Sequence, residues 1–416
     1  MPRTHRPRLL FISGSIGLGH ATRDLAIAAE LRRLHPELDI AWLAADPART
    51  VIANAGETLL PESSELSDET GAAEEAASGF GLNIPRYLWR TRTAWQRGVA
   101  TFERVTERHP YDLLVGDETY EIAVALHRRP ELKQAPFSII YDFVGLDPMS
   151  RNPAERMMVH VWNRLWCGGR RGRPPAADQV LFVGEPEDVL DRPFGVGLPN
   201  RREYARRYYD FVGYILGFDP ATYADRAQVR AALGYDERPL IVCAVGGTAV
   251  GADLLNLCAA AHAHIRQRVP DVRMILVCGP RVNPDEIAAP PGVEVRGYVP
   301  DLHEHYAAAD LAIVQGGGTT TLELTALRRP FIYFPLEGHC EQEVAVAARL
   351  ARHRAGERLR CSETTPEALA AAAVRLLGCR PDWPAIPIDG AQRAAELIAR
   401  QLPAAVDAPT RIAGAG

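Results

Sequence analysis

The chain has 416 residues, 47% apolar and 24% charged, with a formal net charge of −5. This composition excludes a disordered or fibrous protein, and the charge provides no general affinity for nucleic acid. The length predicts two domains, each large enough to bury its own core.

Residues 8–13 read as a strand. They run into Gly14-Ser15-Ile16-Gly17-Leu18-Gly19-His20 and a helix over 21–34, with the next strand over 40–44. A strand, glycine loop, helix and strand open a doubly wound sheet. The glycines at 14, 17 and 19 reverse the spacing of a dinucleotide fingerprint, so only Asp46 after the second strand speaks for that ligand. His20 is sharper. At a helix start the dipole disfavours imidazolium, and a neutral ring there can accept a proton from a hydroxyl. Taken alone, the loop still favours a capping or core histidine.

Residues 61–81 are acidic, small and glycine-rich, the pattern of a mobile loop. Residues 84–102, bounded by Ile84 and Phe102, set Tyr87, Trp89 and Trp95 among Arg86, Arg90, Arg92 and Arg97. A basic aromatic helix can lie on an anionic membrane surface, although packing on its own domain is the favoured reading. Further strands are expected over 113–116, 137–141 and 179–183. Asp117 ends the first of these, with Glu118 and Glu121 as competing acids, and Asp142 follows the second at the expected cleft. Trp162 and Trp166 either line an acceptor pocket or fill core. Residues 198–220 carry the crossover.

The pattern then restarts. Strands are expected over 240–245, 274–278, 293–296, 311–314 and 331–334, with Gly246-Gly247-Thr248 after the first. Two successive open α/β units imply two doubly wound, Rossmann-like sheets facing across a cleft. The expected division is 1–205, 206–390, a helix over 391–402, and a disordered tail over 403–416. Seven cysteines, odd in number and without a C-x-x-C pair, read as reduced residues. No apolar run approaches a membrane span and the start lacks a signal-peptide core, so a cytoplasmic protein is expected.

The densest signal is Gln315-Gly316-Gly317-Gly318-Thr319-Thr320-Thr321-Leu322-Glu323. A strand feeding a glycine-rich turn and a helix start leaves backbone N–H groups unpaired and aligned, which is a phosphate cradle. The threonines add hydroxyl donors, and Glu323, one turn in, can accept from a ribose diol. A capped turn with a structural Glu is the simpler alternative, but Glu341-Gln342 downstream favours a bound nucleotide. No two Asp stand two apart and no His/Cys/Asp ligand cluster is visible, so neither metal nor cofactor is expected.

Residues 298–342 resemble the nucleotide-sugar signature of UDP-glycosyltransferases with the GT-B fold, the superfamily that includes UDP-glucuronosyltransferases. Tyr298-Val299-Pro300 matches its opening, Thr321-Leu322-Glu323 its phosphate loop, and Glu341-Gln342 its closing acid–Gln pair. The chain is also similar to the bacterial N-acetylglucosaminyltransferases that act on the peptidoglycan lipid precursor. Many relatives begin the phosphate loop with His. Gln315 stands there in this chain, as it does not in those relatives, and it can donate but cannot carry charge.

The resemblance implies a metal-independent, inverting hexosyltransferase that moves GlcNAc or glucose from a UDP-sugar to a hydroxyl acceptor, small or lipid-linked. It implies that His20 is the base and Asp117 its orienter. Gly17, Gly19 and Asp142 would lie on the acceptor side. Gly246, Gly247, Thr248, Tyr298, Val299, Gln315, Gly316, Gly317, Gly318, Thr319, Thr320 and Glu323 would hold the nucleotide, and Glu341 and Gln342 the sugar. Peripheral contact with the inner membrane face would run through residues 84–102. A GT-B UDP-sugar epimerase and a non-catalytic sugar-nucleotide binder are the alternatives.

Overall fold

The computed structural model describes residues 6–14, 18–66, 77–78, 81–82, 84–168, 176–246 and 251–403, with the backbone alone over 77–92. Gly17, Gly247, Thr248 and the tail beyond Pro403 lie outside the described residues.

The first half contributes β1 (Arg8–Ser13), β2 (Asp39–Ala44), β3 (Thr58–Leu59), a small hairpin of β4 (Ala77–Ser78) and β5 (Gly81–Leu82), then β6 (Leu113–Asp117), β7 (Phe137–Tyr141), β8 (Gln179–Val183) and β9 (Asp210–Gly213). Hairpin aside, these form one parallel sheet in the order β3-β2-β1-β6-β7-β8-β9. Apolar runs without polar alternation suit strands covered on both faces. Leu10 and Ile12 of β1 enter one core with Phe102 and Val105. Leu9 and Phe11 enter the opposite core with Ile27 and Leu31 of the helix Gly19–Leu34.

Strand order reverses between β1 and β6, which opens a crevice at their C-terminal ends. The register pairs Ile12 with Gly116. It therefore brings the loop after Ser13 alongside Asp117.

The second half repeats the plan with β10 (Leu240–Ala244), β11 (Arg273–Val277), β12 (Val293–Arg296), β13 (Leu311–Gln315), β14 (Phe331–Phe334) and β15 (Glu357–Arg358). Its parallel order is β12-β11-β10-β13-β14-β15. Here the reversal lies between β10 and β13, so Gly246 and the loop after Gln315 share a crevice.

Three features differ from the sequence-based expectation. β9 lies inside the stretch read as crossover and adds a strand to the first sheet. We propose that the division of the chain falls after β9 rather than at 205. Pro61–Glu65 is a 3₁₀ turn rather than open loop, with Ser63 buried and its Oγ accepting from the Ala44 N–H at 3.3 Å. The helix expected to end near residue 102 runs over Ile84–Arg108, and Phe102 is fully buried, so its C-terminal part packs on its own domain. The last helix, Gly390–Ala399, returns to the first half, where Ala394, Ala395 and Ile398 join the core around Ile27, Ala28 and Leu31.

Candidate active site

The two crevices face each other and touch. A Cβ on Gly19 would stand 2.1 Å from Thr319 Oγ1, so only glycine permits this approach of the loops. The Asp147 N–H donates to Cys340 Sγ at 3.1 Å, and Arg352 pairs with Asp188 at 2.7 Å, both across the cleft.

His20 is the second residue of the helix Gly19–Leu34, and its Nδ1 lies 2.9 Å from Asp117 Oδ2. Asp117 is fully buried at the end of β6. Arg23, one turn after His20, completes the group. Its Nε donates to Asp117 Oδ2 at 2.9 Å, its Nη2 to Asp117 Oδ1, and its Nη1 to Asp142 Oδ2 at 2.6 Å. Arg23 Nη2 also lies 2.8 Å from His20 Nδ1. Burial alone would raise Asp117, but the Arg23 guanidinium and the His20 imidazole hold it well below the usual carboxylate range. The same balance, burial against Arg23 and His20, holds Asp142 at about 2.

Arg23 was not singled out from the sequence. Its signal was its position three residues after His20, which places both on one helix face. Beside the group, Ser13, Gly14, Glu118, Thr119 and Gly98 help line an open cavity of about 540 Å³. A second pocket, of about 480 Å³, is lined by Tyr120, Tyr141, Trp162, Trp166 and Tyr209. Trp166 itself is a core residue, buried with its Nε1 donating to Tyr209 at 2.8 Å.

On the other wall, Gln315 ends β13, buried, with Oε1 3.5 Å from the Gly246 N–H. The two nucleotide-side loops thus meet. Gly316 leaves no room for a side chain against Pro335, where an added Cβ would stand 2.9 Å from Cα, while nothing lies within 4 Å of one on Gly317. Gly318, Thr319 and Thr320 form the first turn of the helix Gly318–Ala326, where backbone N–H groups have no helical partner.

The threonine hydroxyls divide differently from the expectation of three phosphate donors. Thr321 Oγ1 donates back to Gly317 O at 2.8 Å and Thr320 bonds the buried Tyr306. Hydroxyls inside a helix find nearby backbone and core partners first, which leaves Thr319 at the mouth.

Among the described residues Glu323 makes no side-chain hydrogen bond, and burial pushes its carboxyl up to about 8. Tyr298 is half exposed and Val299 packs against the core beside it. Glu341 opens a π-helical turn, Glu341–Val346, and its Oε1 would stand 3.4 Å from a Cβ added to Gly318. Burial first, then Asp142, raises it to about 7 against the pull of His20, Arg23 and Arg349. Gln342 departs from the expectation in part, because its Oε1 is committed to the Leu336 N–H at 2.8 Å. Arg349, also missed, donates to Gly318 O at 2.8 Å and brings a cation to the glycine loop.

Residues 241–383 match the glycosyltransferase family 28 C-terminal domain. An uncharacterized glycosyltransferase of Methanopyrus kandleri is 27% identical over 73% of this chain and 80% of its own length. A UDP-N-acetylglucosamine--N-acetylmuramyl-(pentapeptide) pyrophosphoryl-undecaprenol N-acetylglucosamine transferase of Symbiobacterium thermophilum is 33% identical over 37% of this chain and 42% of that enzyme. Among solved structures, the glycotransferase of kitacinnamycin has a TM-score of 0.62 at 17% identity, covering 96% of this chain and 100% of that one. At that identity the likeness speaks for the fold, which is GT-B: two Rossmann-like units facing across a cleft. Among the described residues of this glycosyltransferase, no helix is long and apolar enough to cross a membrane.

Proposed function

We propose that the protein transfers a hexose of the GlcNAc or glucose type from a UDP-sugar to a hydroxyl acceptor, small or lipid-linked, with inversion and without a metal. The observation that carries this reading is the open first turn at Gly317–Thr320 with the unpaired Glu323 one turn further on. The turn offers amides to a pyrophosphate, and Glu323 offers its carboxyl oxygens to the ribose diol. Arg349 adds the charge that Gln315 lacks. Glu341 and the amide nitrogen of Gln342 face the sugar.

His20 donates Nδ1–H to Asp117, which leaves Nε2 to take the acceptor proton. The acceptor oxygen then attacks the anomeric carbon as the bond to the β-phosphate oxygen breaks. That oxygen keeps the electron pair, and its charge falls on the loop amides and Arg349. A single displacement inverts the centre. Family resemblance and the similarity to N-acetylglucosamine transferases support the donor. The test is a thermal-shift screen of UDP-sugars, followed by UDP release with candidate acceptors. Release that needs no acceptor would replace transfer with epimerisation or hydrolysis.

A further inference from the structure

Four carboxyl groups, Asp24, Asp117, Glu118 and Asp142, crowd around the single guanidinium of Arg23. Asp117 and Asp142 bond it directly, whereas Glu118 Oε1 stands 3.9 Å away. Asp24 takes the Ser13 hydroxyl at 2.6 Å instead. One cation and one imidazole cannot neutralise four buried carboxylates, so protons remain on those without a direct partner.

Of the four, Glu118 is the one that lines the open cavity of about 540 Å³ beside Ser13 and Gly14. It has a left-handed backbone at φ 51°, a conformation that costs energy for a residue with a side chain and concentrates at functional sites. Glu118 Oε1 and Asp142 Oδ1 are both buried without a donor. Both carboxyls stand against the same guanidinium, Asp142 at 2.6 Å and Glu118 at 3.9 Å, and two ionised groups that close would repel. A proton on Glu118 resolves this. Burial and Asp142 push Glu118 well up, while Asp142 stays low.

Resting on the transferase reading, we propose that Glu118 lines the acceptor cavity as a neutral carboxylic acid, beside the ionised Asp142, and there selects an uncharged oxygen-bearing acceptor, a polyol or sugar, over an amine. A neutral acid can both donate to and accept from hydroxyls, and it has no charge with which to hold an ammonium group. Glu118 is thereby a specificity residue and not an alternative base.

Infrared difference spectra of the full-length protein at pH 7 test the proton itself. Glu118→Gln should remove a protonated-carboxyl band, and loss of a carboxylate band instead would overturn the proposal. UDP release from UDP-N-acetylglucosamine, with glucose and glucosamine as probes, tests the selection. Glucose should be preferred, and Glu118→Ala should raise its KM about tenfold or more, with Glu118→Gln recovering part of the loss. A preference for glucosamine that disappears in Glu118→Gln would also refute the idea. If neither probe turns over, the infrared result decides alone. Absence of any UDP-sugar binding to the unmodified protein would sink the transferase reading and leave the infrared result standing.

Discussion

Gly19 and Thr319 meet across the cleft at a distance that excludes any side chain on Gly19. The glycine loop that carries His20 is thereby seated on the first turn of the helix expected to hold the pyrophosphate. Gly19→Ala should wedge the loops apart. Turnover should fall by about 10²-fold, the scale of a 1 Å misplacement, with UDP affinity nearly unchanged. Adding Thr319→Gly should restore part of the rate. Steady-state kinetics and calorimetry on the single and double variants check this.

His20→Ala should cut turnover by roughly 10²–10⁴-fold, the usual share of general base catalysis. Donor affinity should hardly move, because the nucleotide groups sit on the other wall. Near-normal turnover on the true acceptor would remove His20 from the chemistry.

Arg23→Leu should destabilise the protein by about 3–5 kcal/mol at pH 7, because two buried carboxylates lose their cation. The sign with pH follows from Asp117 and Asp142, both held low. Their stabilisation is complete above the ordinary carboxylate range near 4. It is lost as pH falls through the folded value, about 2 for Asp142. The gap between the unmodified protein and the variant should therefore narrow from pH 7 toward pH 3 in urea denaturation. A constant gap would show that Arg23 acts through packing.

Glu323→Ala should weaken UDP binding by about 0.5–1.5 kcal/mol, the worth of a hydrogen bond to a neutral carboxyl. Glu323→Gln should do something else to the unliganded protein. A carboxyl raised to about 8 in the folded state is ionised far more easily when unfolded, so it erodes stability as pH climbs from roughly 4 to 8. The Gln variant should be more stable at pH 8, by several kcal/mol at about 1.4 kcal/mol for each pH unit between the unfolded and folded values, and indistinguishable near pH 4. Denaturation at the two pH values would expose an error in this assignment.

Much of this arrangement was legible in the chain. Apolar runs such as 113–116 and 311–314 announced parallel strands, and glycine loops after β1 and β13 announced both crevices. His20 and Asp117 were readable as a pair only through family resemblance, since nothing local distinguishes Asp117 from Glu118. Arg23 escaped because a charged residue inside a helix reads as solvated until its face is known. Thr320, Thr321 and Gln342 read as ligand donors, and only three-dimensional neighbours show the two hydroxyls committed to Tyr306 and Gly317 and the Gln342 oxygen, though not its amide nitrogen, to Leu336. β9 was hidden because Asp210-Phe211-Val212-Gly213 is too short and mixed to signal a strand.

The return of Gly390–Ala399 to the helix Gly19–Leu34 has a consequence for how the protein is made. On the ribosome, the first half emerges long before Ala394, Ala395 and Ile398 exist. Ile27, Ala28 and Leu31 must therefore wait, uncovered on one side, while the whole second sheet is synthesised. A nascent chain arrested after β15 would still present that apolar stripe, the kind of surface that chaperones bind. Emergence of Gly390–Ala399, rather than completion of either sheet, is the event that closes this core.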